Sequence, residues 1–251
     1  METLSIIDCA ISSPSKGCLN KLVKRTKVPF SYHLPALTNT KTYKKDSDAK
    51  AYFLFGSHSS VNEERPWQHH LSDFIFEKLH QGIPVLGLCF GHQLLAKAFG
   101  GTIGKSDIPP FEHKGVREWK IIEQDSRWNF FKGKTFHSFV YHNEEIKRLP
   151  QSFYHLAQSP ECKYEAVSHR ELPYLGIQGH PEASQYFVNK ELEMKNQIPE
   201  ELMTKAFKDG DLVLDTFLET AGFFFDNLPK QSFGNFLKGR RAIPNKYSLD
   251  N

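Results

Sequence analysis

The chain has 251 residues, enough to bury the core of one α/β domain of about 200 to 250 residues. Apolar residues make up 39% and charged residues 24%, and 32 basic against 29 acidic side chains leave a net charge of +3. That balance excludes a strongly basic nucleic-acid or membrane-surface binder, and no apolar run reaches the length of a membrane span. The four cysteines (Cys9, Cys18, Cys89, Cys162) form no CxxC pair, which argues against a zinc site or disulfide framework and fits a reducing compartment. The first residues lack a basic segment followed by an apolar core, so no export signal is read and a cytoplasmic location is expected.

Residues 4–8 predict a first strand, and 17–27 carry Leu19, Leu22 and Val23 at helical spacing. Residues 30–37 read as a second strand, followed by a polar connection over 38–50. The third strand, 51–55, runs into Gly56-Ser57-His58-Ser59-Ser60, where a glycine lets the loop turn a backbone N–H inward. Residues 66–81 predict an amphipathic helix with Leu71, Phe74, Ile75 and Leu79 on one side and Pro66 in its first turn. His69, His70 and His80 share that segment, but adjacent histidines point to different faces, so they read as surface residues rather than metal ligands.

The most informative stretch is Pro84-Val85-Leu86-Gly87-Leu88-Cys89-Phe90-Gly91-His92-Gln93. A short apolar run bounded by glycines reads as a buried parallel strand. Leu94 to Phe99 has helical spacing and ends at Gly100-Gly101, a pair suited to a left-handed cap. Cys89 therefore stands on the corner between strand and helix, with Gly87 and Gly91 free of a Cβ on either side. That corner lies at the carboxyl edge of the sheet, where open α/β sheets bind ligands. Amides of the following turn and the helix dipole favour negative charge there, and with it a thiolate. Most free cysteines are simply small buried hydrophobes, so a nucleophile needs a base elsewhere. Leu175-Gly176-Ile177-Gln178-Gly179-His180-Pro181-Glu182 supplies one, a second strand running into a histidine with a carboxylate two residues on. Cys89, His180 and Glu182 make up the three roles of a nucleophile, a proton-accepting base and a group that orients it.

Several other segments read as structure. Gly100-Gly101-Thr102-Ile103-Gly104-Lys105-Ser106 imitates a phosphate loop, but the glycine spacing is wrong and it follows a helix instead of preceding one. Residues 115–123 and 135–141 predict strands added antiparallel beside the main sheet. Short strands follow near 153–157, 165–168 and 174–178. Cys162 reads as a packing residue and Glu165 as solvated surface, with recognition of an α-amino group as its alternative. Residues 186–209 predict charged helix, and 211–228 a helix with Leu212, Leu214, Phe217, Leu218 and a Phe223-Phe224-Phe225 cluster.

Gly87-Leu88-Cys89-Phe90-Gly91-His92-Gln93, together with Gly179-His180-Pro181-Glu182, resembles the class I glutamine amidotransferases, the group with a Cys–His–Glu triad. The resemblance runs from about residue 50 to about 185, and within the family it leans toward stand-alone proteins similar to the glutaminase part of GMP synthetase and toward plant γ-glutamyl peptidases. Asn235 to Gly239 is similar to the carboxyl terminus of those peptidases. The resemblance implies a flavodoxin-like, three-layer α/β/α sandwich with a central, mostly parallel sheet and a small antiparallel addition. It implies a single domain over residues 1–239; residues 240–251, polar and Pro-interrupted, read as a loose tail.

By the same likeness, Ser57 and Phe90 supply the two oxyanion-hole amides, although His58 stands where many relatives have proline. Gly56, Gln93, Tyr141, His142 and Asn143 are the implied substrate-binding residues; a strand end entering a turn is the plain alternative for 141–143, and helix capping for Gln93. The implied substrate is a small γ-glutamyl compound, glutamine or a γ-glutamyl peptide, with no metal or organic cofactor. A separate synthetase subunit is a possible partner, since the chain carries no recognisable ATP site. Three functions stay open: a glutaminase or amidotransferase, a γ-glutamyl peptidase acting alone, and a catalytically silent binding protein of the same fold.

Overall fold

A computed structural model describes residues 3–223, apart from 27, 47–48, 129–134 and 195. The first part alternates strand and helix: β1 (Thr3–Ile7), α1 (Lys16–Thr26), β2 (Phe30–His33), α2 (Pro35–Thr38), β3 (Ala49–Leu54), α3 (Pro66–His80), β4 (Val85–Leu88) and α4 (Phe90–Ala98). Seven strands follow: β5 (Thr102–Lys105), β6 (His113–Ile121), β7 (Thr135–His142), β8 (Glu144–Arg148), β9 (Phe153–Gln158), β10 (Ala166–His169) and β11 (Tyr174–Ile177). Two helices close the described chain, α5 (Gln185–Lys190) and α6 (Glu200–Thr220).

Nine strands form one sheet in the order β2-β1-β3-β4-β11-β10-β9-β6-β7. From β2 to β11 neighbours run parallel, and from β11 to β7 they run antiparallel. β5 and β8 make a separate two-stranded antiparallel sheet. The central parallel strands β4 and β11 are apolar and buried at every residue because both faces are covered. Leu22 of α1, Phe187 of α5, and Leu214 and Phe217 of α6 pack on one face. Leu71 and Ile75 of α3 and Leu94 and Leu95 of α4 pack on the other. The result is three layers, with the carboxyl ends of β1, β3, β4 and β11 opening on one rim.

Three boundaries differ from the sequence reading, each for a local reason. β2 stops at His33 instead of running to 37, because Pro35 has no N–H for a ladder and instead opens α2. The helix expected over 186–209 is only α5 in its first part. α6 then crosses the expected break at 210: it begins after Pro199, with Glu200 and Glu201 in a first turn that favours negative charge. It ends before Gly222, whose φ of 83° turns the chain away, so it does not reach 228. Phe224, Phe225, the Asn235 to Gly239 string and the expected tail lie outside the described residues. Among the described residues no helix is long and apolar enough to cross a membrane.

Candidate active site

Cys89 takes φ 48° and ψ −101°, a conformation costly for a residue with a side chain. The strain is local to the corner. Its N–H still pairs with Ile177 O at 2.8 Å, continuing the β4–β11 ladder, while its carbonyl already accepts from Gln93 N at 3.0 Å as the first bond of α4. Helix and sheet approach closely enough that a Cβ on Gly91 would lie 2.7 Å from both Cβ and O of Leu54. One on Gly87 would lie 2.8 Å from the Gly91 carbonyl. The two glycines thus permit close packing, and Cys89 itself carries the unusual backbone angle. Such a sharp strand-to-helix turn holds a nucleophile up at the sheet edge.

β11 delivers the partner residues. His180 N donates to Phe139 O at 2.7 Å, and Ala183 N closes a turn on His180 O at 3.1 Å. Lys21 of α1 reaches across to donate to the carbonyls of Pro181 and Ala183, both at 3.0 Å, bracketing Glu182. In that turn His180 Nδ1 lies 2.8 Å from Glu182 Oε1, and the two side chains are 6% and 2% exposed. A Cβ built on Gly56, at the end of β3, would sit 3.0 Å from His180 Cε1 and 3.6 Å from Cys89 Cβ, so sulfur-bearing residue and imidazole are neighbours across that glycine. Burial opposes charge on His180, but the Glu182 carboxylate and the Cys89 sulfur outweigh it and hold the imidazole well above the usual histidine range. Among the described residues no aligned hydrogen-bond partner meets His180 Nε2 or Glu182 Oε2.

Cys89 is 5% exposed. Its Sγ donates toward Tyr141 O at 3.8 Å, and Gln178 Nε2 donates toward the sulfur at the same distance. Gln178 is a residue the sequence reading passed over. Its position two residues before His180, at the end of a buried strand beside β4, was the available signal. Its Oε1 accepts from Gln93 Nε2 at 3.2 Å, and that same nitrogen donates to Glu144 O at 2.7 Å. Gln93 therefore spends its donor on the wall of the site, and its side chain does not cap α4.

Two cavities meet at the sulfur, of about 240 and about 290 Å³, and both are bordered by Ser57, His58, Cys89 and Tyr141. The smaller includes Gly56, His180 and Glu182; the larger includes Gln93, His142 and Asn143. Ser57 uses its hydroxyl to accept from Ser59 N at 3.1 Å, which pins the loop. The Phe90 ring stacks on Trp67 at 5.4 Å between centroids, while its amide belongs to the first turn of α4, where the helix supplies no acceptor. His58 is exposed at the rim, 4.0 Å from Glu191.

His142 differs from expectation. Its Nδ1 faces Glu144 O at 3.1 Å and its Nε2 faces Arg117 Nη1 at 3.1 Å, so both ring nitrogens are engaged within the protein. Facing a carbonyl on one side and a guanidinium on the other fixes a neutral ring with its proton on Nδ1. Burial, with Arg117 beside it, pushes its pKa down to about 2. His142 supports the wall and has no donor left to offer a substrate. Glu165 also differs: it is 1% exposed, not solvated, and accepts from Arg117 at 2.8 Å and Ser159 at 2.7 Å. Burial raises its pKa despite Arg117.

Among the described residues no group of three or more histidine, cysteine or acidic side chains is placed to hold a metal ion. His69 and His80 turn ring nitrogens to the backbone carbonyls of Glu64 and Phe76. Cys9, Cys18 and Cys162 are buried, and burial raises each thiol pKa well above its usual value.

Residues 6–195 match the family model described as glutamine amidotransferase class-I. The chain is 31% identical over 168 residues to a glutamine-hydrolyzing GMP synthase subunit from Archaeoglobus fulgidus, covering 66% of this chain and 84% of that protein. It is 40% identical over 104 residues to the corresponding GMP synthase subunit of Pyrococcus abyssi, covering 41% of this chain and about half, 52%, of that protein. In fold it is similar to a glutamine amidotransferase from Thermotoga maritima, with TM-score 0.71, 18% identity and coverage of 88% of this chain and 99% of the other. The glutamine amidotransferase structure from Methylobacillus flagellatus gives TM-score 0.70, again at 18% identity, over 92% and 100% of the two chains. With the family's motifs and a match over most of its length, the chain belongs to the class I glutamine amidotransferases.

Proposed function

We propose that the chain hydrolyses γ-glutamyl amide bonds, that of glutamine among them, through a covalent thioester on Cys89. The observation that carries this reading is the meeting of Cys89, at a strained strand-to-helix corner, with a buried His180 oriented by Glu182. Relatives named as glutamine-hydrolyzing support the choice of bond.

In this reading the Cys89 sulfur attacks the δ-carbonyl carbon of the γ-glutamyl group, and the carbonyl π pair moves onto oxygen. The amides of Ser57 and Phe90 receive that oxyanion; losing one such donor raises the barrier by about 3 to 4 kcal/mol in comparable acyl transfers. When the tetrahedral species collapses, the C–N bond breaks and His180 gives its Nε2 proton to the departing amine. Water then attacks the γ-glutamyl thioester with His180 as base, through a second oxyanion at the same amides, releasing glutamate and restoring the thiolate. Glu182 holds the imidazole with Nδ1 protonated and stabilises its positive charge. Tyr141, Asn143 and Gln93 border the space for the glutamyl part, and His142 holds that wall in place. No step calls for a metal or organic cofactor. If the chain acts as an amidotransferase, a separate synthetase subunit takes up the ammonia.

The test uses the purified chain with glutamine and with γ-glutamyl dipeptides, following ammonia and amine release. Wild type is expected to release product, and Cys89→Ala to release none. Acid quenching during turnover should leave one glutamyl group on the peptide containing Cys89. Equal turnover by wild type and Cys89→Ala would refute the reading, as would a wild-type chain inert toward every γ-glutamyl amide.

A further inference from the structure

Arg117 lies within β6, buried, and borders neither cavity at Cys89. Its Nη1 donates to Glu165 Oε1 at 2.8 Å and to His142 Nε2 at 3.1 Å. A buried ion pair is a poor source of stability: desolvating two charges costs about what their attraction returns, and an apolar pair of similar volume often serves a fold as well. What a guanidinium adds is direction. It has donors and no acceptor, so the nitrogen of His142 that faces it must accept, and the ring proton stands on Nδ1. That proton is aimed at Glu144 O, 3.1 Å away, where the chain passes from β7 into β8. With the proton on Nε2, the bare Nδ1 would meet the carbonyl's lone pairs and the turn would lose this bond.

From Glu144 the contacts lead back to the nucleophile. The same carbonyl accepts from Gln93 Nε2 at 2.7 Å, and that nitrogen also donates to Gln178 Oε1 at 3.2 Å. With its oxygen placed there, Gln178 turns its NH2 to the Cys89 sulfur at 3.8 Å. The circuit closes through the backbone: Gln178 N donates to Glu165 O at 2.9 Å, and Glu165 is the other partner of Arg117. Arg117, His142, Glu144, Gln93, Gln178 and Glu165 thus form one closed ring of hydrogen bonds. It holds the 142–144 wall of the larger cavity at one point and touches the sulfur at another. Glu165 comes just before β10 and Gln178 just after β11, so the ring also ties the approach to His180 to the far strands of the sheet.

We infer that Arg117 is a positioning residue for acyl transfer to Cys89: by donating to His142 and Glu165 together, it fixes the 142–144 wall of the larger cavity relative to the amide that faces the sulfur. Without it the Glu165 carboxylate is buried unpaired and the His142 ring exchanges tautomers, so the wall shifts against the nucleophile. A displacement of about 1 Å in the reacting geometry costs about a hundredfold in rate even when its origin lies away from the chemistry. The inference deepens the proposed function and rests on it.

The test separates direction from charge. In Arg117→Met the Glu165 carboxylate is left unpaired, so both the urea midpoint and kcat should fall. In the double variant Arg117→Met/Glu165→Met the buried charges are gone, and the urea midpoint should return toward that of wild type. Its kcat, for glutamine or a γ-glutamyl dipeptide, should stay about ten- to a hundredfold low, with KM changed less. In parallel, 15N NMR of the histidine rings, with the His142 signals identified by their loss in His142→Gln, should place the proton on Nδ1 in wild type and show Nε2–H in the double variant. A double variant with wild-type kcat overturns the inference and leaves Arg117 as a counterion for Glu165 alone; so does a wild-type His142 with its proton on Nε2. If the double variant does not fold, Arg117→Lys decides, since it keeps a cation beside Glu165. Its kcat is expected to follow the His142 proton, retained with Nδ1–H and lost with Nε2–H, and kcat moving against the tautomer overturns the inference. Should wild type cleave no γ-glutamyl amide, the thioester reading falls on its own, and iodoacetamide then judges the ring. Alkylation of Cys89 about two- to tenfold slower in the double variant supports the ring's hold on the sulfur, and an unchanged rate overturns it.

Discussion

At Glu182 a single oxygen is bonded to His180, and the other oxygen lacks a partner among the described residues. The imidazole's orientation therefore rests largely on one 2.8 Å contact. In Glu182→Gln the amide can turn its NH2 toward Nδ1, which moves the ring proton to Nε2 and leaves no lone pair for the thiol proton. The expected loss in kcat/KM is about 10²- to 10⁴-fold. The sign of the pH effect follows from the carboxylate, which raises the His180 pKa: its removal lowers that pKa, so the alkaline limb of the profile moves to lower pH. An alkaline limb in the same place for variant and wild type would show that Glu182 is not what holds the imidazolium. Gln178 is a second test at this scale. Its Nε2 points at the sulfur from a site with no solvent access, and a buried hydrogen bond of this kind contributes about 0.5 to 1.5 kcal/mol. Gln178→Leu should slow alkylation of Cys89 by iodoacetamide about two- to tenfold, and lower kcat more than it raises KM. An unchanged alkylation rate would make Gln178 a packing residue only.

The His180–Glu182 loop is held between two elements, and α6 is the one a motif search overlooks. A Cβ on Gly210, in the middle of α6, would lie 2.7 Å from Pro181 O and 3.0 Å from Pro181 Cα. Alanine in place of glycine within a helix ordinarily stabilises by about 1 kcal/mol, but here the added methyl meets backbone, and overpacking costs about 1 to 3 kcal/mol. Gly210→Ala is therefore expected to lower stability, read as a lower urea midpoint, and to reduce kcat because Pro181 adjoins both His180 and Glu182. A variant more stable than wild type, with normal kcat, would show that the loop moves aside freely. Elements of this kind were only partly legible. The elbow and the His180-Pro181-Glu182 string could be read because each is a local pattern whose chemistry depends on neighbours in sequence. The boundary of α6 could not be placed from charge alone, since Pro199 and Gly222 set its ends and the Asp209-Gly210-Asp211 run within it reads as a break. Arg117 escaped notice because its partners, His142 and Glu165, come from residues 25 and 48 positions away.

Across the whole molecule, the same burial that hid the roles of His142 and Glu165 gives the fold a pH dependence. His92 of α4 is wholly enclosed, and burial pushes its pKa down to about 3; His142 is pushed down to about 2. Both rings are neutral in the folded chain, whereas in the unfolded chain each binds a proton below about pH 6.5. Stability from these groups is therefore complete above pH 6.5 and is lost as pH falls toward the folded values. Each group gives a slope of about 1.4 kcal/mol per pH unit, so the pair gives about 3 kcal/mol per unit below pH 6. His180 acts with the opposite sign: its raised pKa favours the fold below pH 6.5, and that contribution fades as pH rises through the folded value. It cannot offset the loss, because its contribution is already complete where the other two begin to titrate. Total stabilities are commonly about 5 to 15 kcal/mol, so two units of acidification consume a large share. Urea midpoints measured from pH 7.5 to 4.5 should fall steeply below about pH 6. His142→Gln, which keeps an amide able to face Arg117 and Glu144 without titrating, should flatten the slope by about 1.4 kcal/mol per unit. A slope unchanged in that variant would mean that His142 takes up its proton in the folded protein, and the internal network of Arg117, His142 and Glu165 would then need a different charge assignment.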